Sequence, residues 1–330
     1  MIRRRYLRNK NKINVPTPDC YYDFSKGSND DENRETIKDY SGNGNDAVAH
    51  NFAWSGMSGY GGYDNIIQNG RISSIFCDKI SNTEILIKRT HASSISTFVY
   101  ISPSSNKAVY EIKGLTEGQI IYFGNDTSKE KILSVSKNGI YEVDWNDLYN
   151  INSNYYRCIY SDYVGDINCT IKVLPKYEGA LVFDGVNDYV SLDAFDSGFK
   201  TMFMVCNPRN KYDVFLYDQR KNAEPPYDYG LYTFNSVAYN ARNANGTYIN
   251  GIKNTKVFTK DLNNKKILIS VNSKLTQLNK PTIGVGITRN YSDMALYKFL
   301  GFKEALTEEQ IQTVIKKYNL LDGVDEIEVN

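Results

Sequence analysis

The chain has 330 residues and 41% apolar content, enough to bury a real core and divide into two or three domains, so a disordered protein is excluded. Tyrosine is abundant (27) and histidine nearly absent (2), which favours strands and aromatic surfaces and argues against histidine-based metal or acid–base chemistry. The net charge of +1 is close to neutral and conceals a strong asymmetry along the chain.

That asymmetry lies at the front. Arg3, Arg4, Arg5, Arg8, Lys10 and Lys12 fall within the first twelve residues with no acid among them, so the remaining chain is mildly acidic. A basic segment followed by Pro16 and Pro18 cannot build a core. The expected organisation therefore opens with an arm over residues 1–18, either a solvated tail or an anchor that orders on an acidic surface of a larger assembly. Nucleic acid is a third reading, because neither aromatic interleaving nor a folded basic face accompanies the charges. No apolar segment follows them, so no secretory signal is expected, and no apolar run approaches the length of a membrane span.

Residues 19–70 supply an opening strand at Tyr22-Asp23-Phe24-Ser25, an acidic run (Asp30, Asp31, Glu32, Glu35) and a Gly/Asn-rich turn from Asp39 to Val48. The acidic spacing does not match a D-x-D-x-D-G calcium loop, so a solvated loop is expected there and no metal. From residue 71 to 177 short alternating runs recur every 10 to 15 residues: Ser74–Cys77, Glu84–Lys88, Ser96–Ile101, Ala108–Ile112, Ile120–Phe123 and Thr170–Leu174. That spacing predicts a small antiparallel β-sandwich, with Gly114-Leu115-Thr116-Glu117-Gly118-Gln119 at one corner.

Between Gly179 and Leu192, Asp184-Gly185 separates two apolar runs (Ala180, Val182; Val186, Tyr189, Leu192), a pattern that predicts a β-hairpin. Over residues 178–320, strands are expected at Met202–Cys206, Phe215–Tyr217 and Ile283–Ile287, while Asn245–Gly251, Ile267–Val271 and Met294–Phe302 resemble the strand–turn ending in Asn-Gly, the core strand after it and the last core strand of jelly-roll domains. Thr307 with Gln310 three residues later predicts a capped helix whose face Ile311, Val314, Ile315 and Tyr318 packs on the core. Residues 321–330 read as a polar tail.

Three of these stretches carry a family resemblance. The Leu-Val-Phe-Asp-Gly-Val-Asn-Asp-Tyr-Val phrase, the Asp-Tyr-Ser-Gly-Asn-Gly-Asn-Asp turn and the terminal Ala-Leu-Thr-Glu-Glu-Gln-Ile phrase resemble those of concanavalin A-like, laminin G-like jelly-roll domains. The resemblance implies an all-β fold: a concanavalin A-like jelly-roll sandwich interrupted by the small inserted β-sandwich, with a short C-terminal helix. The front phrase with Asn51–Tyr63 is similar to a group of virion proteins in tailed bacteriophages of gut Bacteroidales, including crAss-like phages. There such domains occur in head fibres, capsid decorations and tail appendages.

Glycosidases of this fold need paired carboxylates, commonly as E-x-D-x-E on one strand. No such string occurs, Glu326-Ile327-Glu328 lies in the polar tail where a rigid active site is not expected, and no G-x-S-x-G, P-loop or H-E-x-x-H is present, so an enzyme is not expected and no cofactor is implied. Sugar binding needs only an aromatic platform with a few amides or carboxylates. Tyr212, Tyr217, Tyr227, Asp228, Tyr229 and Tyr232 offer one, the competing reading being a loop that uses Tyr for strand propensity. Trp54 with Tyr60 and Tyr63 offers a second, although the glycines around them point to a loop packed against a neighbouring subunit. The expected function is a virion structural protein, a head fibre or capsid decoration, held by its arm to the major capsid protein or other virion proteins. It would form a homo-oligomer and could meet host polysaccharide, with no membrane partner. A carbohydrate-binding tail adsorption protein and an unusual glycanase are the alternatives. The five cysteines, odd in number and without C-x-x-C spacing, predict buried thiols, Cys158 and Cys169 being the one pair that could face across a hairpin.

Overall fold

The computed structural model describes residues 14–62, 73, 76–81, 83–92, 96–101, 107–125, 130–145, 157–195, 198–209, 214–219, 230–234, 237–240, 246–254, 257–258, 265–271, 281–286 and 290–324. Among them the protein is all-β, with antiparallel sheets and one α-helix near the C-terminus. The chain divides into two units, Met1–Phe24 with Glu32–Asn51 and Phe183–Asn330, and Ser25–Asp31 with Phe52–Val182.

The first unit is a two-layer sandwich of jelly-roll type. Sheet I runs Ile252–Asn254, Gly246–Ile249, Lys266–Val271, Thr201–Pro208, Asp293–Phe302 and then Leu181–Asp184, with Cys20–Asp23 also paired to Asp293–Phe302. Sheet II runs Thr36–Ile37, Ala47–His50, Tyr189–Ser191, Thr282–Ile283, Val214–Asp218, Gly230–Phe234, Val237–Asn240 and Val257–Phe258. Thr201–Pro208 is buried along its whole length because both of its faces are covered. Phe203 and Val205 join Ile267, Ile269, Leu300 and Phe302 beneath the helix α1 (Glu308–Lys317). On the other side of the sheet, Phe299 stacks with Tyr22 and with Tyr217 of sheet II, at ring separations of 6.1 and 5.6 Å. The period of two places alternate residues in these two layers.

Helix α1 forms where the sequence predicts it. The Thr307 side chain accepts the Gln310 amide at 3.3 Å while Gln310 Oε1 accepts the Thr307 amide at 2.9 Å, closing a capping box. Ile311, Val314 and Ile315 are buried, each contributing about 1.5–3 kcal/mol. Asn250 (φ 49) and Gly251 (φ 84) make the two-residue turn between Ile249 and Ile252, with positive φ at both positions as a type I′ hairpin demands.

The Gly179–Leu192 stretch is not a hairpin. Leu181–Asp184 lies in sheet I and Tyr189–Ser191 in sheet II, between Ala47–His50 and Thr282–Ile283, so the Asp-Gly segment carries the chain from one layer to the other. A two-residue type I′ turn at Asp184-Gly185 would need positive φ at both positions, and only Gly185 (φ 78) has it. The buried Asp188 carboxylate instead accepts the Asp184 amide at 3.0 Å, and Asp184 accepts the Val186 amide at 2.8 Å, which turns the chain outward.

The second unit is a sandwich in its own right. Sheet III orders Glu130–Val135, Ile121–Asn125, Arg157–Ser161 and Ser96–Ile101, and sheet IV orders Gly139–Asp144, Lys107–Lys113, Gly165–Val173, Glu84–Ala92 and Cys77–Lys79. Phe98, Phe123 and Ile159 of the first meet Ile87, Tyr110 and Ile171 of the second around the fully buried Trp145, whose indole N–H donates to Tyr110 Oη at 3.0 Å. Arg89 is fully buried. Its guanidinium donates to the carbonyls of Ser161 (3.3 Å), Tyr163 and Gly165 (3.1 Å), fixing the corner between Arg157–Ser161 and Gly165–Val173. Within the same unit Leu181 and Val182 pair with Gly59–Tyr60. All five cysteines are buried free thiols. Cys158 and Cys169 lie in different sheets, III and IV, so they do not face each other across a hairpin.

Candidate interaction surface

Arg3, Arg4, Arg5, Arg8, Lys10 and Lys12, expected to form an arm, lie outside the described residues; the stretch that follows them, from Asn14 on, is described. The Asn14 carbonyl accepts Gln310 Nε2 at 2.9 Å beside the start of α1, and Val15 packs against the cluster under the helix. Asp19 donates its amide to the Gly301 carbonyl at 2.8 Å and accepts the Lys303 amide at 2.6 Å. Asn43 Nδ2 reaches the Pro18 carbonyl at 3.0 Å, and Asn45 Nδ2 reaches that of Asp19 at 2.9 Å.

The Asp39–Asp46 turn that carries these asparagines is organised by one carboxylate. Asp39, 5% exposed, accepts the amides of Tyr21 (2.9 Å) and Ser41 (2.8 Å) on Oδ1, and Ser41 Oγ (2.7 Å) and the Asn45 amide (2.9 Å) on Oδ2. Gly42 and Gly44 take φ of 93 and 74, the backbone freedom the loop needs to bring four donors to one side chain. The motif is thus a clamp around the root of the arm. Among the described residues no cluster of three or more His, Cys, Asp or Glu side chains is arranged to hold a metal ion.

Beside the root lies a tyrosine surface. Tyr21 meets Tyr40 and Tyr318 edge-on, with ring centroids 6.3 and 5.1 Å apart, and Tyr40 is 47% exposed. Partial burial, and then the neighbouring Asp23, push the Tyr21 phenol well above its ordinary pKa, so it stays a neutral hydrogen-bonding group. Lys317 lies over the Tyr318 ring at 5.1 Å and Lys265 over Tyr297 at 4.3 Å.

Of the expected sugar platform, Tyr212, Tyr227, Asp228 and Tyr229 lie outside the described residues, and Tyr232 is described only as part of the strand Gly230–Phe234. Tyr217 is corrected: it is a core residue, fully buried, stacked on Phe299, with its hydroxyl donating to Gln219 Oε1 at 2.6 Å. It points inward because the strand Val214–Asp218 presents it to the facing sheet, where no sugar can reach it. Trp54 is also committed, its ring stacking with Phe52 at 5.2 Å and Tyr60 at 5.7 Å, while Tyr63 lies outside the described residues.

A polar grouping that the sequence did not reveal sits on the outer face of sheet II. His50 and Tyr189 are cross-strand neighbours whose rings stack at 4.5 Å and 13°. His50 Nε2 lies 2.9 Å from Ser191 Oγ, and Ser191 Oγ lies 2.8 Å from Asp193 Oδ2. The carboxylate can only accept, so Ser191 donates to it, and His50 must then donate its Nε2–H to Ser191. That proton order is the reverse of a serine nucleophile, whose hydroxyl donates to imidazole. The serine is therefore not arranged as an activated nucleophile. His50 and Ser191 are 141 residues apart, so the outward half of the Ala47–His50 alternation was the only sequence signal for it.

Neither a family model, nor a curated protein, nor a solved structure matches this chain.

Proposed function

We propose that the protein is a non-enzymatic structural protein of a tailed-phage virion, a head fibre or capsid decoration. Its body would be a concanavalin A-like jelly roll, and its basic arm would anchor it to the major capsid protein or another virion protein. The supporting observation is the clamp at Asn14–Asp19, where side chains from the Asp39–Asp46 turn and from α1 hold the base of the arm against sheet I. A cationic segment leaving a fixed base keeps the folded body oriented once the arm is held, whereas a loosely rooted tail would tether without orienting. Arg and Lys side chains on an acidic lattice supply the attraction, and the Tyr21/Tyr40/Tyr318 surface beside the base supplies rigid aromatic contact with a neighbouring copy or with the lattice.

Cryo-electron microscopy of purified particles tests the reading, comparing the full chain with a variant lacking residues 1–13. Many copies on the capsid, lost on truncation although the truncated chain folds, are expected. Full incorporation of the truncated protein rejects the anchor. The alternative of a carbohydrate-binding tail adsorption protein draws on the half-exposed His50–Tyr189 pair, and a few copies at the tail instead of many on the head would select it.

A further inference from the structure

We propose that Asn43, in the Asp39–Asp46 turn, is a site of spontaneous deamidation whose product loosens the segment Asn14–Asp19. The chemistry stands on the turn alone, and only its consequence for particles rests on the anchoring role proposed above. In an Asn-Gly pair the glycine amide nitrogen reaches the asparagine side-chain carbonyl carbon without a side chain of its own in the way. At Asn43-Gly44 both residues are exposed, Gly44 takes a φ of 74, and no atom lies within 4 Å of the place a Cβ would occupy there. The Gly44 N–H has no partner among the described residues, so the nucleophile breaks no hydrogen bond to react. The other Asn-Gly pairs among the described residues are held. Asn138 accepts the Leu115 amide at 2.8 Å and donates to the Leu115 carbonyl at 3.1 Å, which ties both ends of its side-chain amide. Asn250 Oδ1 accepts the Ile267 amide at 2.8 Å, and Gly251 is buried away from solvent base.

The step consumes only water. The Gly44 nitrogen loses its proton to solvent base and bonds to Asn43 Cγ, the Cγ–Nδ2 bond breaks, and Nδ2 takes a proton from water and leaves as ammonia. A second water then opens the succinimide ring at one of its two carbonyls, giving aspartate or isoaspartate. The atom that leaves is the one that holds the segment, since Asn43 Nδ2 donates to the Pro18 carbonyl at 3.0 Å and to the Asp19 carbonyl at 3.2 Å. The product sets an acceptor-only carboxylate against those two carbonyl oxygens, in a turn that already carries Asp39 and Asp46, so two hydrogen bonds give way to repulsion. Asn45 Nδ2 still reaches the Asp19 carbonyl at 2.9 Å, and the segment is loosened rather than detached.

The test incubates the purified full chain at pH 8.5 and follows its peptides by mass spectrometry. The amide-to-acid mass gain, with isoaspartate, is expected at Asn43 ahead of Asn138 and Asn250, and faster as pH rises. Hydrogen exchange of the Asp19 amide, which donates to the Gly301 carbonyl, should quicken by about tenfold in the product, the worth of one or two net hydrogen bonds. Asn43→Asp should show the fast exchange without incubation. Asn43→Gln, whose longer side chain must close a six-membered ring, should show an exchange rate that incubation does not change. An unaltered Asn43 peptide, a product at Asn138 or Asn250 first, or the same Asp19 exchange in Asn43→Asp as in the parent overturns the proposal. None of these readouts involves a particle, so the anchor can fail in the truncation experiment without this site failing, and the reverse.

Discussion

Tyrosine does two different jobs in this chain, and composition alone does not separate them. Tyr22, Tyr110 and Tyr217 are fully buried with their hydroxyls matched, Tyr22 to the Asn45 carbonyl at 2.8 Å, Tyr110 to Trp145 and Tyr217 to Gln219. Tyr21, Tyr40 and Tyr189 instead keep part of the ring in water. The two classes respond differently to substitution. Removing the Tyr217 ring empties space between the two sheets, so Tyr217→Ala should cost about 3–5 kcal/mol, by analogy with other large aromatic truncations. Tyr217→Phe should cost only about 1 kcal/mol, because Gln219 Oε1 still accepts the Phe199 amide at 2.8 Å and is not orphaned. Urea unfolding of the purified chain measures both, and an alanine variant as stable as the phenylalanine one would show that Tyr217 does not bridge the layers.

Elements set by adjacent residues behave as their local chemistry dictates. Thr307→Ala breaks the capping box and should cost about 1 kcal/mol. Gly251→Ala should cost more than about 1 kcal/mol, for two reasons that add. Its φ of 84 is strained for a side chain, and the new methyl would sit 2.9 Å from Ile315 Cδ1 of α1. Thermal unfolding of the two variants should rank them in that order. Both features were legible in the sequence because their determinants lie within four residues of each other. What the sequence could not supply was partnership. Alternation marked Leu181–Asp184 and Tyr189–Ser191 as strands, but whether two neighbouring strands pair or part into separate layers depends on the distant strands each one meets, Asp293–Phe302 for the first and Ala47–His50 with Thr282–Ile283 for the second. The strands Glu130–Val135, Gly139–Asp144 and Arg157–Ser161 went unread for a related reason. Glu142 and Lys131 project from them into solvent, while Arg157 and Ser161 are buried polar residues that break an apolar run. The candidate sites divide the same way. The Asp39–Asp46 clamp is local and was read as a turn, whereas the His50–Tyr189 pair exists only once distant strands meet.

Across the molecule the buried acids of high pKa set a common vulnerability to alkali. Burial pushes the thiols of Cys77 and Cys169 in the second unit, and of Cys206 in the first, up to about 12 from an ordinary 9.0. Desolvation likewise raises Cys20, Tyr22 and Tyr217 well above their ordinary values. Above pH 9 the unfolded chain therefore releases protons that the folded chain retains, and stability must fall as pH rises, being complete below pH 9 and lost progressively toward 12. At pH 10 each thiol that ionises only on unfolding contributes about 1.4 kcal/mol of that loss, or about 4 kcal/mol for the three together. Cys20 adds a fourth such thiol, so each unit holds two, and Tyr22 and Tyr217 join the pair in the first, whose unfolding transition should therefore shift at least as much as that of the second. Denaturant titrations at pH 8 and pH 10 measure the effect, and Cys77→Ala with Cys169→Ala should flatten the pH dependence of the second unit although both changes reduce its core. If the doubly substituted chain loses as much stability between those pH values as the parent, Cys77 and Cys169 are not the groups responsible. The loss would then have to come from Cys20 and Cys206 of the first unit, the buried phenols Tyr22 and Tyr217, whose ordinary value is 10.0, adding to it at higher pH.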